Sequence, residues 1–333
     1  MEITTRPTTQ VTFSGLFDLQ VNGFAGVDFN NPRTTEPEIL RAIAAMRATG
    51  VTHFLPTLIT SSSENFAQCA KNLARINHPA IACIHLEGPY ISADDGPRGA
   101  HPRAHVVAAT IEDFLRRQEA AGGEIRLVTL APEVAGALPL TEFLVARGVR
   151  VAIGHSAASP AQIRDVIKAG ATLSTHLGNG CANPLPRHPN LIWEQLAADE
   201  LLASFIVDGH HLPPSTVKSM IRAKNSSRTM LVTDAISAAG CPPGEYELNG
   251  LRVVLSAEGR VSPPGKPWLA GSAITLDQAV ANTVKFTGLP LKEVLPMASD
   301  RPAEYLGLKP SGKVTAEWNV NECRLTNLKV SDT

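Results

Sequence analysis

The chain has 333 residues, 44% of them apolar, and is long enough to bury a large core as one domain or as one domain with a small appendage. Its 30 basic and 31 acidic residues give a formal charge of −1, without the basic field that attracts nucleic acids or anionic membranes. Its apolar runs are also shorter than the ~20 residues of a membrane helix. We therefore expect no nucleic-acid partner and no membrane partner.

The first 13 residues lack the apolar segment of a secretory signal peptide. The cysteines are odd in number and scattered, without CxxC spacing; they are Cys69, Cys83, Cys181, Cys241 and Cys323. This cysteine usage is typical of a reducing compartment, and we expect a cytoplasmic protein.

Eight short runs rich in β-branched and apolar residues follow one another along the chain. They lie at residues 11–21, 51–59, 80–87, 125–133, 150–156, 171–177, 201–209 and 229–235. Helical patterns separate most of them, at residues 35–50, 63–76, 110–123, 139–148, 159–170, 189–199 and 213–224. Two further helices are predicted after the eighth run, at residues 275–288 and 290–307.

Strands that alternate with helices predict an α/β protein with a parallel sheet, and the count favours a closed (β/α)8 TIM barrel. An open doubly wound sheet is the alternative, because periodicity alone does not show closure. Residues 312–332 predict short strands outside the barrel. We therefore predict a catalytic barrel over residues 14–308 and a reduced β appendage built from residues 1–13 and 309–333.

Polar residues stand where six of the eight predicted strands end, which is where a barrel holds its active site. They are Asp18 and Gln20, Glu87, His155, His176, Asp208 followed by His210 and His211, and Asp234. Each alone has a structural explanation, because a lone histidine is often hydrogen-bonded in a core and an acid often caps the next helix. Asp18 is equally compatible with anchoring a loop. The convergence of the set on one end favours a catalytic centre.

A Glu/His/His set drawn from these strand-end residues suits zinc or a similar divalent ion, with iron, manganese and cobalt as alternatives. Such an ion lowers the pKa of a bound water toward ~7. Asp234 can then take that proton at neutral pH and return it to a departing amine. The sequence therefore predicts a metal-dependent hydrolase.

Taken together, the motifs resemble the N-acetylglucosamine-6-phosphate deacetylases of the amidohydrolase superfamily. The matching segments keep the family's order: GLFDLQVNGFAGVDF (15–29), HLEGPYIS (85–92), GAH (99–101), LAPE (130–133), GHS (154–156), THLGN (175–179), DGHHL (208–212), LVTDA (231–235) and LAGS (269–272). The resemblance covers the chain from about residue 15 to its end. It implies hydrolysis of the acetamide of N-acetylglucosamine 6-phosphate to glucosamine 6-phosphate and acetate.

By this resemblance, Glu87, His155 and His176 hold the metal and Asp234 is the catalytic acid and base. Superfamily members with two metals often carry His-x-His on the first strand, where this chain has Asp18-Leu19-Gln20, so one metal ion is expected. The implied substrate contacts are His101, Asn179, Gly180, Arg187, His211, Leu269, Ala270 and Gly271, with Arg187 and His211 at positions associated with the sugar phosphate. The resemblance also implies a homodimer.

Three departures from the family pattern are present. Only 14 residues precede Gly15, where the family has a longer β-sandwich segment, so we expect a reduced second domain. The family's FNAM is replaced by GNGC at residues 178–181, which removes an aromatic side chain beside the pocket and adds backbone freedom. His188 adds an imidazole directly after Arg187.

The last two departures lie near the substrate and leave its identity open, and two alternatives to the implied activity remain. One is an amidohydrolase that acts on an unphosphorylated N-acetyl sugar, another N-acylated amine or a cyclic amide. The other is a catalytically silent paralogue that binds a sugar phosphate or a partner protein.

Overall fold

The structure is a computed structural model and describes residues 8–309 and 311–331. The strands are β1 (Thr9–Ser14), β2 (Leu16–Val21), β3 (Gly23–Phe24), β4 (Val27–Asp28), β5 (Val51–Ile59), β6 (Ile84–Glu87), β7 (Ile125–Leu130), β8 (Arg150–Ile153), β9 (Leu173–Ser174), β10 (Leu202–Phe205), β11 (Thr229–Leu231), β12 (Gly244–Leu248), β13 (Leu251–Leu255), β14 (Val261–Ser262), β15 (Lys313–Asn319) and β16 (Arg324–Ser331). The α-helices are α1 (Glu36–Ala48), α2 (Ser63–Ala74), α3 (Ile111–Ala120), α4 (Ala137–Val145), α5 (Pro160–Lys168), α6 (Leu191–Ala197), α7 (Pro214–Lys224), α8 (Leu276–Thr287), α9 (Leu291–Val294) and α10 (Asp300–Tyr305). Short 3-10 turns lie at Arg103–His105, Ser226–Arg228 and Leu295–Ala298.

Eight parallel strands form the barrel, in the order β2, β5, β6, β7, β8, β9, β10 and β11. A parallel bridge between Val21 and Ala235 brings the end of the first strand beside the end of the last. The hydrogen bond from Asp234 N to Gln20 O (3.0 Å) lies at the same junction. The sheet therefore closes, which confirms the predicted (β/α)8 barrel over the open-sheet alternative.

The helices cover the barrel with their apolar faces, and several of them begin at a capped first turn. In α5, the side chain of Ser159 accepts from Gln162 N, and Pro160 occupies the first turn, where its missing N–H costs nothing. Ile163 and Val166 of that helix are buried against the barrel. The last predicted helix, 290–307, is instead broken into α9, a 3-10 turn and α10. Within the described residues, no helix is long and apolar enough to cross a membrane.

The predicted first strand, residues 11–21, is two strands. β1 pairs with β15 in an antiparallel three-stranded sheet, whereas β2 enters the barrel beside β5. The chain turns between them at Gly15, where a Cβ would lie only 2.2 Å from Thr52 Oγ1, so only glycine fits.

The sheet of β1, β15 and β16 is the predicted β appendage. It packs on the barrel, because Trp318 and Leu325 belong to the same core cluster as the barrel strands. The domain boundaries at 13/14 and 308/309 stay a prediction, and residues 1–7, 310, 332 and 333 of the appendage lie outside the described residues.

A second small sheet, formed by β12, β13 and β14, is inserted between β11 and α8 and was not predicted. Its hairpin turns at Asn249-Gly250, and both residues have positive φ (48° and 79°). Asn-Gly between two alternating apolar runs is a strong signal for such a hairpin. The insertion matters for the site because Leu248 at the end of β12 lines the cavity described below.

Candidate active site

Three metal-binding side chains meet at the carboxyl end of the barrel. Glu87 is the last residue of β6, and His155 and His176 follow β8 and β9. Their candidate ligand atoms all lie within 4.8 Å of one another. Glu87 Oε1 is 3.2 Å from His155 Nε2 and 3.0 Å from His176 Nε2, and the three residues are 2%, 7% and 2% exposed.

Sharp backbone turns aim these side chains into the barrel mouth. His155 (φ 51°), His176 (φ 31°) and Asp234 (φ 50°) all have positive φ, which is uncommon for residues with a side chain. Such conformations persist where the surrounding structure enforces them, and they concentrate at active sites. Gly180 is also constrained, because a Cβ there would lie 2.9 Å from His155 Nδ1.

Hydrogen bonds and charge keep Glu87 ionised despite its burial. Burial alone would raise its pKa, but the hydrogen bonds and charges of His155 and His176 hold that pKa well below its usual range. The pKa of His155 is raised, because Glu87 outweighs the burial that would lower it. A bound cation would replace the proton on His155, since histidine ligates metals in its neutral form.

The donor set fits a divalent metal. Two imidazole nitrogens and one carboxylate oxygen converge, which is three of the four ligands of a catalytic zinc site. His155 Nδ1 donates to Pro97 O (2.8 Å), which leaves Nε2 facing the cluster. Metal-ligating histidines usually donate their second ring N–H to such an acceptor. Glu87, His155 and His176 thus have the chemistry and the orientation to hold one ion.

Asp234 lies after β11, beside this cluster, and is held by two amides. Asn22 Nδ2 donates to Asp234 Oδ1 (2.7 Å), and Gln20 Nε2 donates to the same oxygen (3.1 Å). Gln20 Nε2 also donates to Glu87 Oε1 (2.8 Å), so one amide joins the metal cluster to the carboxylate. Burial and the nearby charge of Glu87 raise the pKa of Asp234 to about 6.

These groups open into a cavity of about 340 Å³. His101 is buried in its wall, with Nδ1 2.8 Å from Thr60 Oγ1, and burial and His155 hold its pKa well below the usual value, so the ring is neutral. His211 Nδ1 lies 2.7 Å from Asp208 Oδ2. The pKa of Asp208 is low because the hydrogen bonds and charge of His211 outweigh its burial. Asp208 therefore fixes the orientation of the His211 ring in the cavity wall.

The family model described as "Amidohydrolase family" matches residues 11–318. An N-acetylglucosamine-6-phosphate deacetylase of Lysinibacillus sphaericus is 32% identical over 92% of this chain and 79% of its own length. An N-acetylgalactosamine-6-phosphate deacetylase of Shewanella sp. is 34% identical over 94% of this chain and 79% of its own length. The chain belongs to the N-acetylglucosamine-6-phosphate deacetylase family of amidohydrolases.

A solved structure supports this membership. The N-acetyl-D-glucosamine-6-phosphate deacetylase of Mycobacterium smegmatis, crystallised as a variant with N-acetyl-D-glucosamine-6-phosphate, superposes with a TM-score of 0.88 at 30% identity. The match covers 96% of this chain and 85% of that one. Family membership confirms the prediction of a metal-dependent hydrolase.

Most of the residues that the sequence singled out come together in this fold. The cavity is lined by Glu87, His155, His176, Asp234, His101, Asn179, Gly180, His211, Leu269 and Gly271. Ala270 is 1% exposed and packs behind the lining, in the cluster that includes Ile236 and Leu248. Arg187 and the neighbouring His188 are exposed, on a loop outside the cavity lining.

Nine of the described residues that line the cavity were not among the predicted site residues: Asn22, Ile59, Gly96, Gly99, Ala100, Ile206, Leu248, Pro267 and Trp268. Two of them, Asn22 and Trp268, and the supporting residue Gln20 bear on the chemistry of the site. Asn22 and Trp268 line the cavity, and Gln20 joins Glu87 to Asp234. Gln20 was singled out at the end of the first predicted strand but was given no role in the site. Asn22 directly follows that strand, so the same strand-end rule could have found it. Trp268 lies in the loop after β14, where the sequence pattern carries no comparable signal.

Proposed function

We propose that this chain hydrolyses the acetamide of N-acetylglucosamine 6-phosphate to glucosamine 6-phosphate and acetate. One observation carries the proposal: the Glu87, His155 and His176 cluster and Asp234 face a single cavity at the carboxyl end of the barrel. The similarity of the chain to deacetylases of N-acetylhexosamine 6-phosphates supports the same class of substrate.

Glu87 Oε1, His155 Nε2 and His176 Nε2 would hold one divalent ion. When bound, such an ion polarises the amide carbonyl and lowers the pKa of a water molecule. We propose zinc, because two histidines and one carboxylate are a common donor set of catalytic zinc sites. Elemental analysis of the purified protein tests this, and one equivalent of iron or manganese in place of zinc would contradict it.

Asp234 moves the proton. With a pKa of about 6 it is ionised at pH 7, so it accepts the proton of the attacking water. The water oxygen joins the carbonyl carbon, the C–N bond breaks, and Asp234 returns the proton to the nitrogen of the leaving amine. Gln20 and Asn22 hold Oδ1 of Asp234, which leaves Oδ2 for the proton.

The remaining predicted residues position the substrate. We assign His101, His211 and Asn179 to holding it by hydrogen bonds, since all three line the cavity. The neutral imidazole of His101 can donate a hydrogen bond without adding a charge. Gly180, Leu269 and Gly271 shape the walls, and Ala270 supports them from behind.

Acetate release tests the substrate assignment. Metal-loaded protein is assayed with N-acetylglucosamine 6-phosphate, N-acetylgalactosamine 6-phosphate and unphosphorylated N-acetylglucosamine. We expect the highest kcat/KM for the first. Turnover of none of the three by metal-loaded protein would refute the proposal.

The exposed position of Arg187, outside the cavity lining, favours a second candidate: an unphosphorylated N-acetyl sugar or another N-acylated amine. If Arg187 binds the phosphate, Arg187→Ala raises KM by about tenfold or more, because the free energy of a charge-assisted hydrogen bond corresponds to a change of that size in affinity. Arg41→Ala, a change at another exposed arginine on α1, is the control. A KM that Arg187→Ala leaves unchanged would favour the unphosphorylated substrate.

We also propose that the chain forms a homodimer and acts in the cytoplasm. Light scattering after size-exclusion chromatography measures the oligomeric state, and cell fractionation measures the location. A monomer or an exported protein would contradict these proposals.

We propose residues 14–308 as the catalytic domain, with residues 1–13 and 309–333 as the appendage. Because Trp318 packs into the barrel core, we expect both parts to unfold in one calorimetric transition. Two separate transitions would contradict this shared core.

A further inference from the structure

Trp268 lies on the rim of the catalytic cavity with 40% of its surface exposed. It is the one Trp, Phe or Tyr among the described residues that line this cavity. A large aromatic side chain left exposed beside a catalytic centre is a surface that a ligand can cover, since an aromatic ring contributes both buried area and directed ring contacts.

The loop that carries Trp268 is anchored on both sides. Before it, the guanidinium of Arg260 donates to Ser262 Oγ (2.8 Å) and to Pro267 O. After it, Ala270 N donates to Val261 O (3.3 Å), and Ser272 N donates to Asp234 O (3.0 Å). The backbone that carries Trp268 is therefore held relative to the catalytic carboxylate before any ligand binds, which reduces the cost of ordering this loop on binding.

The cavity has a polar floor and an apolar stretch of rim. Glu87, His155, His176 and Asp234 form the floor, where the acetamide must lie to react. Pro267, Trp268 and Leu269 line the rim in one continuous segment. A pyranose ring attached to that acetamide extends toward the rim, and its C–H groups are the apolar part of a sugar. The weakly positive C–H hydrogens match the negative face of an indole.

Resting on the proposed function, we propose that Trp268 is a specificity-determining residue whose indole packs against the pyranose ring of the substrate. The hydroxyl groups of the same ring then face the polar lining residues Asn179 and His211. Trp268 takes no part in proton transfer, and its contribution is to bind and orient the sugar.

Steady-state kinetics give the first test. Trp268→Ala raises KM for N-acetylglucosamine 6-phosphate by about tenfold and changes kcat by less than about threefold, whereas Trp268→Phe keeps a ring and recovers most of the affinity. Trp193→Ala is the matched control, because Trp193 is 54% exposed on α6 and does not line the cavity. A KM unchanged in Trp268→Ala, or equally raised in Trp193→Ala, would overturn the proposal.

Fluorescence gives a second test that does not depend on turnover. The chain has three tryptophans, Trp193, Trp268 and Trp318. In the Asp234→Asn background, N-acetylglucosamine 6-phosphate shifts the emission; adding Trp268→Phe abolishes the shift and adding Trp193→Phe keeps it. The role proposed for Trp268 would be overturned, and the proposed function left intact, if calorimetry detected binding without a change in emission. The same holds if the emission shift survived Trp268→Phe. If wild-type protein neither binds nor hydrolyses the sugar phosphate, the proposed function fails with it.

Discussion

The floor and the rim of the cavity are built in different ways. The floor, defined by Glu87, His155, His176 and Asp234, comes from strand ends and is tied by hydrogen bonds between distant parts of the chain; Gln20 and Glu87 are 67 residues apart. The rim, formed by Pro267, Trp268 and Leu269 together with Asn179 and His211, comes from loops and is half-buried or exposed. Arg187 does not line the cavity at all.

This difference means that the residues that set the type of reaction are distinct from those that select the substrate. Buried charged groups are tolerated only where each is paired or binds a metal, so few other residues could occupy the floor. Loop residues on the rim carry no such requirement and can vary with the ligand. The floor therefore identifies the type of chemistry, and the rim is where relatives that act on different sugars can diverge.

Removal of a floor ligand has the largest expected effect. Glu87→Gln takes the negative charge from the metal cluster and replaces the carboxylate shared by His155 and His176 with a neutral amide. We expect metal content to fall from about one ion per chain to near zero and activity to fall by more than about 10³-fold. Metal analysis and acetate release measure both. Glu142→Gln, at an exposed position on α4, should change neither, and a Glu87→Gln protein that keeps its metal would refute the ligand assignment.

Asp234→Asn separates proton transfer from metal binding within the floor. The amide keeps the shape but cannot accept the proton, so kcat falls by about 10²–10⁴-fold while metal content stays at the wild-type level. In the wild-type enzyme, activity needs the ionised carboxylate of Asp234, so kcat/KM declines as the pH falls below about 6. A cation bound nearby lowers the pKa of Asp234 further and moves this decline to lower pH. Wild-type-like kcat in Asp234→Asn would exclude Asp234 as the base.

Asn22 joins the floor to the first barrel strand, and its removal has a smaller effect. Its hydrogen bond to Asp234 Oδ1 lowers the pKa of that carboxylate. Asn22→Ala should reduce kcat/KM by about tenfold and move the acid limb of the pH profile to higher pH. Asn65→Ala, a change on α2 away from the cavity, is the control. A reduced rate with an unmoved limb would mean that Asn22 acts only by packing.

The barrel and most of the floor could be predicted from the sequence because both follow local rules. Alternating apolar runs mark the strands, and Glu87, His155 and His176 each end one, so topology alone brings them together. The hydrogen bond of Asn22 could not be predicted in this way, since its partner Asp234 is 212 residues away along the chain. Trp268 and Arg187 lie on loops, whose course depends on packing that no periodicity records.

Asp18 belongs to neither the floor nor the rim, and its replacement should affect stability more than activity. It is 2% exposed; Oδ2 accepts from Thr233 Oγ1 (2.6 Å), and Oδ1 accepts from Thr233 N and Gln20 N (both 3.2 Å). Burial raises its pKa to about 7. In the unfolded chain the group loses its proton near pH 4, so the folded state holds an extra proton between about pH 4 and 7. Stability therefore falls as the pH rises through this range.

Asp18→Asn keeps the size of the side chain and abolishes its charge. Its amide can donate to Thr233 Oγ1, whose hydroxyl then turns to Gln20 O (3.3 Å). We expect the free energy of unfolding to depend less on pH between about 4 and 7, and at pH 8 to exceed that of the wild type by on the order of 1–3 kcal/mol. Urea unfolding at pH 5 and 8 measures this, with the exposed Asp165→Asn as control. Activity should stay within about threefold, because Asp18 does not line the cavity. A loss beyond about 10²-fold would place Asp18 in the catalytic machinery, and an unchanged pH slope would show that its carboxyl group is ionised throughout.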